Sequence, residues 1–269
     1  MSIQAPTRIT PIGRMTPFRA QRIWERNYLV YRRIWTVIFS GLFEPIFYLF
    51  SIGVGLGALI GQVAGPGGAL VDYDAFVAPA MMAAAAMNGT TTETTFNVFF
   101  KLRYEKTYEG ILTTPMMPRD IAIGEIGWSL FRGLIYAAAF IAVMAVMGLT
   151  MSWWAVAAIP AAFLIGFAFG AVGLAVTTYM RSVQDFDLVF MATMPIFLFS
   201  ATFYPIDVYP PWLQGVAKIS PLYHGTELIR GFTLGVVDWS MIGHVVFLVV
   251  MGLIGAVIAN RRFDSLLRP

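Results

Sequence analysis

The chain has 269 residues, 58% hydrophobic and 12% charged, with a mean hydropathy of +0.72 and a formal net charge of +3. A soluble fold of this length could not bury so much apolar surface, and the lack of cysteine excludes disulfides, thiolate metal sites and cysteine nucleophiles. The basic excess lies in short blocks between apolar runs, which orients a membrane protein and does not suggest nucleic-acid binding.

The opening stretch MSIQAPTRITPIGRM has no apolar core after its charges, so the first membrane helix is expected to act as the targeting signal. Thr16-Pro17 predicts a helix start, a capping hydroxyl followed by proline at the first helical position. From there Arg19, Arg22, Arg26 and Arg33 share one face at 100° per residue, and Trp24, Tyr28, Tyr31 and Trp35 the opposite one. Residues 1–33 therefore read as a cytoplasmic tail and an amphipathic helix lying in the interface.

Apolar runs of roughly 20 residues, enough to cross a ~30 Å hydrocarbon layer, predict spans near 34–60, 75–99, 121–149, 153–178, 186–203 and 239–259. Arginines crowd the N-terminal segment, Lys101, Arg103, Lys106 and Arg119 follow the second span, Arg181 the fourth, and Arg261, Arg262 and Arg268 close the chain. By the positive-inside rule both termini are expected in the cytoplasm. The 61–74 loop, with Asp72 and Asp74 but no Lys or Arg, fits the other side. The expected fold class is an all-α integral membrane protein, with residues 34–260 as a six-helix domain and 261–269 as a cytoplasmic tail. In a bacterium its place would be the cytoplasmic (inner) membrane, as a multi-pass protein.

The stretch FYPIDVYPPWLQGVAKISPLYHGTELIRGFTLG, after the fifth span, is too polar and proline-rich to cross lipid yet too apolar for a solvated loop. It predicts two short helices in the outer leaflet, with Pro211 and Pro221 at their starts and Gly215 and Gly235 at their ends. The same stretch resembles the C-terminal signature of type-2 ABC exporter permeases, a proline-tryptophan run followed by P-L-x-H-x-x-E-L-I-R-G, carried here by Tyr204 through Asp207, Pro211 to Leu213 and Pro221 to Gly231. FEPIFYLFSIGVGLG at 43–57 and YEGILTTPMMPRDIAIGEIGWS at 108–129 resemble the nodulation-factor export branch. The resemblance implies a non-catalytic permease that pairs with a second copy or a close paralogue. It also implies a cytoplasmic ATPase subunit, which carries the ATP and Mg2+, and export of a lipid-linked saccharide, glycolipid or amphipathic drug. An ion-coupled secondary transporter is the alternative, and would be expected to show repeat symmetry and midplane carboxylates.

The residues themselves exclude a P-loop: the only lysines are Lys101, Lys106 and Lys218, and none follows glycine. Gly53, Gly55, Gly57 and Gly61 lie inside a predicted span, where they allow close helix contact and form no nucleotide fingerprint. Charges within spans face a bundle interior or a partner. Glu44, Glu93 and Arg132 each sit roughly ten residues from a cytoplasmic end, a depth of about 15 Å, and Glu125 lies on nearly the same face as Arg132. Arg132 is expected to pair with Glu93 or Glu44. In KLRYEKTYEG a short helix would present Tyr104 with Tyr108 and Glu105 with Glu109 in rows four apart. The resemblance makes this the coupling helix that contacts the ATPase. His224, Glu227 and Arg230 share one face of an outer helix, where packing is the ordinary role and gating the sharper one. No catalytic residue and no metal site is expected, since His224 and His244 are the only histidines.

Overall fold

The computed structural model describes residues 18–33, 43, 46–47 and 49–267, so the Thr16-Pro17 start, Trp35, Glu44 and much of the first predicted span lie outside the described residues. Helix α1, Phe18–Arg33, carries Arg32 and Arg33 in its last turn, which suits the negative end of its dipole. A π-helical stretch, Leu49–Val54, runs into α2, Gly55–Ile60. A hairpin that hydropathy does not reveal follows. Strands β1, Gln62–Ala64, and β2, Leu70–Asp72, pair antiparallel with Val63 opposite Val71. Gly67 and Gly68 turn the chain with φ of 74° and 78°, a region open chiefly to glycine.

The second predicted span is one helical rod made of α3, Tyr73–Thr92, a π turn at Glu93–Asn97, and α4, Val98–Arg103. Lys106 then adopts the left-handed region, with φ of 51°, and separates α4 from the short α5, Thr107–Ile111. Helix α6, Pro118–Val146, starts on proline at its first position, with the Asp120 carboxylate accepting from the Met117 amide. A 3-10 turn at Trp153–Ala157 leads into α7, Ala158–Thr177. Helix α8 spans Asp185–Leu198, α9 Pro211–Ile219, α10 Pro221–Leu234 and α11 Ser240–Leu267.

Among the described residues three stretches are long and apolar enough to cross a bilayer: Pro118–Val146, Trp153–Thr177 and Ser240–Leu267. They match the third, fourth and sixth predicted spans. Helix α8, with 14 residues, is about 21 Å long at 1.5 Å per residue, shorter than the predicted fifth span. The sixth span overshoots its prediction: α11 runs through 261–267, the segment expected to be a free tail, and buries Phe263 completely.

Helices α3, α6, α7, α10 and α11 pack around an apolar core that includes Met82, Ala137, Phe140, Ile165 and Leu248. Lipid tails are as apolar as these side chains, so close helix contact depends on small residues. At Gly255 on α11 a Cβ would fall 2.7 Å from the Val172 amide nitrogen on α7, a contact only glycine permits. Helix α8 joins this core weakly, with Phe186 its only buried residue. The two outer helices begin at Pro211 and Pro221 as predicted, and Gly235 ends α10 in the left-handed region. Gly215 does not end α9, which continues through it to Ile219.

Candidate functional site

Helix α1 is more than an interfacial float. Tyr31, expected among the interfacial aromatics, instead joins Ile23 and Asn27 at four-residue spacing on a third face, and all three are buried while Trp24 and Tyr28 stay exposed. Gly124 and Gly127 of α6 let it approach. A Cβ at Gly124 would lie 2.6 Å from Ile23 Cβ, and one at Gly127 would lie 2.7 Å from Trp24 Nε1. Gly124→Val is expected to lift α1 and to destabilise the protein by about 1–3 kcal/mol, read as a fall in thermal midpoint of the purified chain. An unchanged midpoint would mean that the two helices do not need this contact.

Docked there, α1 inserts two polar side chains into two buried ion pairs. In the first, Glu93 at the π turn meets Arg132 of α6, and Glu93 is fully buried. The Tyr31 hydroxyl donates to Glu93 Oε2 at 2.8 Å and accepts from Arg132 Nη1 at 2.9 Å. Asn97 donates to the same carboxylate, and Arg132 Nη2 donates to the Tyr136 hydroxyl at 2.7 Å. The Arg132 guanidinium also faces the Tyr31 ring, 4.8 Å from its centroid. In the second, Lys101 Nζ lies 2.9 Å from Glu125 Oε2 and 3.0 Å from Oε1. Asn27 Nδ2 donates to Glu125 at 3.1 Å and the Tyr108 hydroxyl donates at 3.0 Å. Both oxygens of Glu125 accept from charged or neutral donors, and Glu93 accepts from Tyr31, Asn97 and Arg132, mostly on Oε2, the kind of support a buried charge requires to persist.

The expected intramembrane cluster is therefore two clusters. Arg132 pairs with Glu93, as one of the two predicted partners. Glu125 turns to Lys101 instead of joining Arg132. Glu44 lies outside the described residues. Lys101, Asn27, Tyr31, Asn97 and Tyr136 are the members that the sequence reading missed. Four-residue spacing on a helix is the trace they left: Asn27 with Tyr31, Glu93 with Asn97 and Lys101, and Arg132 with Tyr136.

The loop expected to carry coupling is split. Lys106 breaks the helix, so Tyr104 and Tyr108 do not form one aromatic row. Tyr104 is 60% exposed, and Glu105 and Glu109 are exposed. Tyr108 is 1% exposed and its ring meets Phe263 of α11 edge-on, 5.9 Å between centroids. Burial, and then the Glu125 charge, push the Tyr108 hydroxyl well above its ordinary pKa, so it stays protonated and remains the donor to Glu125.

At the opposite end of the bundle the three residues of the expected outer gate part ways. Arg230 is buried, with Nη1 2.6 Å from Glu227 Oε1, Nη2 donating to the Ala201 carbonyl at 2.9 Å and its guanidinium 3.8 Å from the centroid of the Phe76 ring. It bolts α10 to α3 and to the start of the loop after α8. His224 faces α11, its Nδ1 2.7 Å from His244 Nδ1, and stacks on Phe247. Among the described residues no group of three metal-ligating side chains gathers.

Between α3 and α8 runs a groove of about 500 Å³, walled by Ala84, Asn88, Thr92 and Phe96 on one side and Phe186, Phe190 and Thr193 on the other. It extends from Met81 to Phe96 along α3, about 22 Å at 1.5 Å per residue, most of a hydrocarbon layer. The π turn supports this wall. Its wider ring turns Glu93 inward to Arg132 while Phe96, three residues on, stays 47% exposed against the groove.

A helical bundle with apolar membrane-length helices, a long groove between two of its helices and buried ion pairs tying them together fits a membrane permease. The family model described as ABC-2 type transporter matches residues 19–234, and the chain belongs to that family. It is 34% identical over 217 residues to "Nodulation protein J" of Rhizobium leguminosarum bv. trifolii, covering 79% of this chain and 80% of the relative. The protein of the same name from Rhizobium leguminosarum bv. viciae is 32% identical over 249 residues, 89% and 93% of the two chains. "Inner membrane transport permease YadH" of Escherichia coli (strain K12) is 24% identical over 220 residues, 79% of this chain and 80% of the relative.

Proposed function

We propose that this chain is the membrane subunit of an ABC exporter that moves an amphiphile, a lipid-linked saccharide, glycolipid or amphipathic drug, along the α3–α8 groove. The groove carries the reading: it is long enough to follow a substrate across most of the bilayer, apolar enough for a tail, and supplied with Asn88, Thr92 and Thr193 for a polar head. A second copy or close paralogue would close the open side of the groove and cover the apolar side chains that α8 leaves exposed beside it, Leu188, Met191 and Met194. Six crossings would put the Lys101 end and both termini in the cytoplasm. There a separate ATPase subunit, holding ATP and Mg2+, would dock against Tyr104, Glu105 and Glu109. Tyr108, from beneath, would pass its motion to Glu125, Asn27 and the Glu93–Arg132 pair. The outer gate would be the α10 region, held by Arg230 and Glu227 and by the His224 contact. Ion-coupled secondary transport finds less support, because no carboxylate lines the middle of the groove.

Co-expression with candidate ATPase subunits and uptake into sealed inverted vesicles tests the function. ATP-dependent accumulation of a lipid-linked saccharide or an amphipathic drug supports it, and accumulation driven by an ion gradient without ATP overturns it. The topology has its own test, made easy by the cysteine-free sequence. Single cysteines at Ala69 and Gln214 are expected to react with an impermeant maleimide in intact cells, and one at Ser2 is expected to stay unlabelled. Labelling at Ser2 but not at Ala69 would invert the orientation.

A further inference from the structure

The groove carries a charge preference. Of the residues that line it, Asp187 alone is ionisable; the other polar walls are neutral asparagine and threonine. Asp187 sits in the first turn of α8, at the Phe96 end of the groove, and among the described residues no Lys or Arg nitrogen approaches its carboxylate within 4.0 Å. Its neighbour Asp185 is occupied, accepting from the Arg181 and Ser182 amides, whereas among the described residues no donor reaches Asp187. Beside it stand aromatic faces. Phe96 and Phe186 lie 5.1 Å apart between centroids, and Phe190 is 70% exposed. Arg103 and Arg181 stand by the start of α8, Arg103 donating to the Met180 carbonyl at 2.9 Å, but neither pairs with Asp187, and Lys101, in a separate pocket of about 300 Å³, is held by Glu125.

A free carboxylate next to open aromatic rings is the chemistry that holds an organic cation. The carboxylate supplies the opposite charge, and the ring faces attract a weakly hydrated cation that water does not hold tightly. An anion in the same place meets repulsion and, among the lining residues, only the neutral donors of asparagine and threonine. We propose that Asp187, with the exposed rings of Phe96 and Phe190, makes this mouth of the groove select amphiphiles bearing a cationic head and disfavour anionic ones. This rests on the groove being the substrate path.

Tetraphenylphosphonium and tetraphenylborate match in size and shape and differ in the sign of their charge, so they isolate the effect. Equilibrium binding of each to the purified chain in neutral-detergent micelles, with empty micelles subtracted, is the measurement. Asp187 is exposed, so Asp187→Asn leaves the packing intact. The phosphonium ion is expected to bind the wild type more tightly than the borate, and Asp187→Asn to weaken it about fivefold, the scale of one exposed charge contact, without weakening the borate. Thr92→Trp, which fills the groove, is expected to abolish binding of both. Equal or tighter borate binding, or an Asp187→Asn variant that alters neither ion, would overturn the charge preference and leave the path standing. If neither ion binds saturably, or Thr92→Trp leaves both unaffected, the groove is not a binding site and both readings fall.

Discussion

Arg132→Met is expected to remove most of the folded protein, while Arg132→Met combined with Glu93→Gln is expected to recover much of it. Glu93 is fully buried, and its remaining donors, Tyr31 and Asn97, are neutral. Taking one member from a buried pair leaves an uncompensated charge, which costs about 3–5 kcal/mol, whereas replacing both by neutral groups of similar volume is often close to neutral. That single loss is a large fraction of the stability of an ordinary domain. Monodisperse yield by size-exclusion chromatography in detergent would measure it. Equal yields of the single and the double variant would mean that the Glu93 charge is balanced elsewhere.

The second large effect separates two tyrosines of the same loop. Tyr108→Ala is expected to destabilise the chain by about 3–5 kcal/mol, the cost of deleting a large buried aromatic, and it also leaves Glu125 without one donor. Tyr104→Ala, at an exposed position, is expected to change stability by less than about 0.5 kcal/mol yet to reduce copurification of the ATPase subunit. Thermal midpoints together with ATPase recovery distinguish the two. A Tyr104→Ala variant that keeps full ATPase recovery and full export would remove this side chain from the docking surface, and a stable Tyr108→Ala would show that its burial does not matter.

Part of this arrangement was legible in the sequence because membrane physics is strict. An arginine at the depth of Arg132 needs a carboxylate, and Glu93 was one of two candidates at its level. Pro211, Pro221 and Gly235 mark helix ends through their fixed or left-handed backbones, and α9 and α10 obey them. Gly215 misled because a glycine inside a short helix is tolerated when packing favours continuation. The Lys101–Glu125 pair was not legible, since its members belong to separate helices and no local spacing joins them. The π turn at Glu93–Asn97 leaves no hydropathy signal, although it decides which way Glu93 and Phe96 face. The face of α1 that holds Asn27 and Tyr31 was hidden for a different reason. Amphipathic periodicity separates charged from aromatic residues, but it does not say that a tyrosine will satisfy a buried ion pair instead of resting among headgroups.

The contact between Phe263 and Tyr108 ties the order of synthesis to the order of assembly. Tyr108 is made early, yet one side of its ring stays uncovered until the last turns of α11 have left the ribosome and come to rest beneath it. The loop around Tyr108 is thus among the last parts of the chain to acquire its final shape. A half-made chain would hold that loop without its floor, so under the docking proposed above an ATPase would be recruited only after the polypeptide is complete. A stop codon placed after Arg262 would leave Pro118–Val146 and Trp153–Thr177 whole and remove Phe263 from its contact with Tyr108.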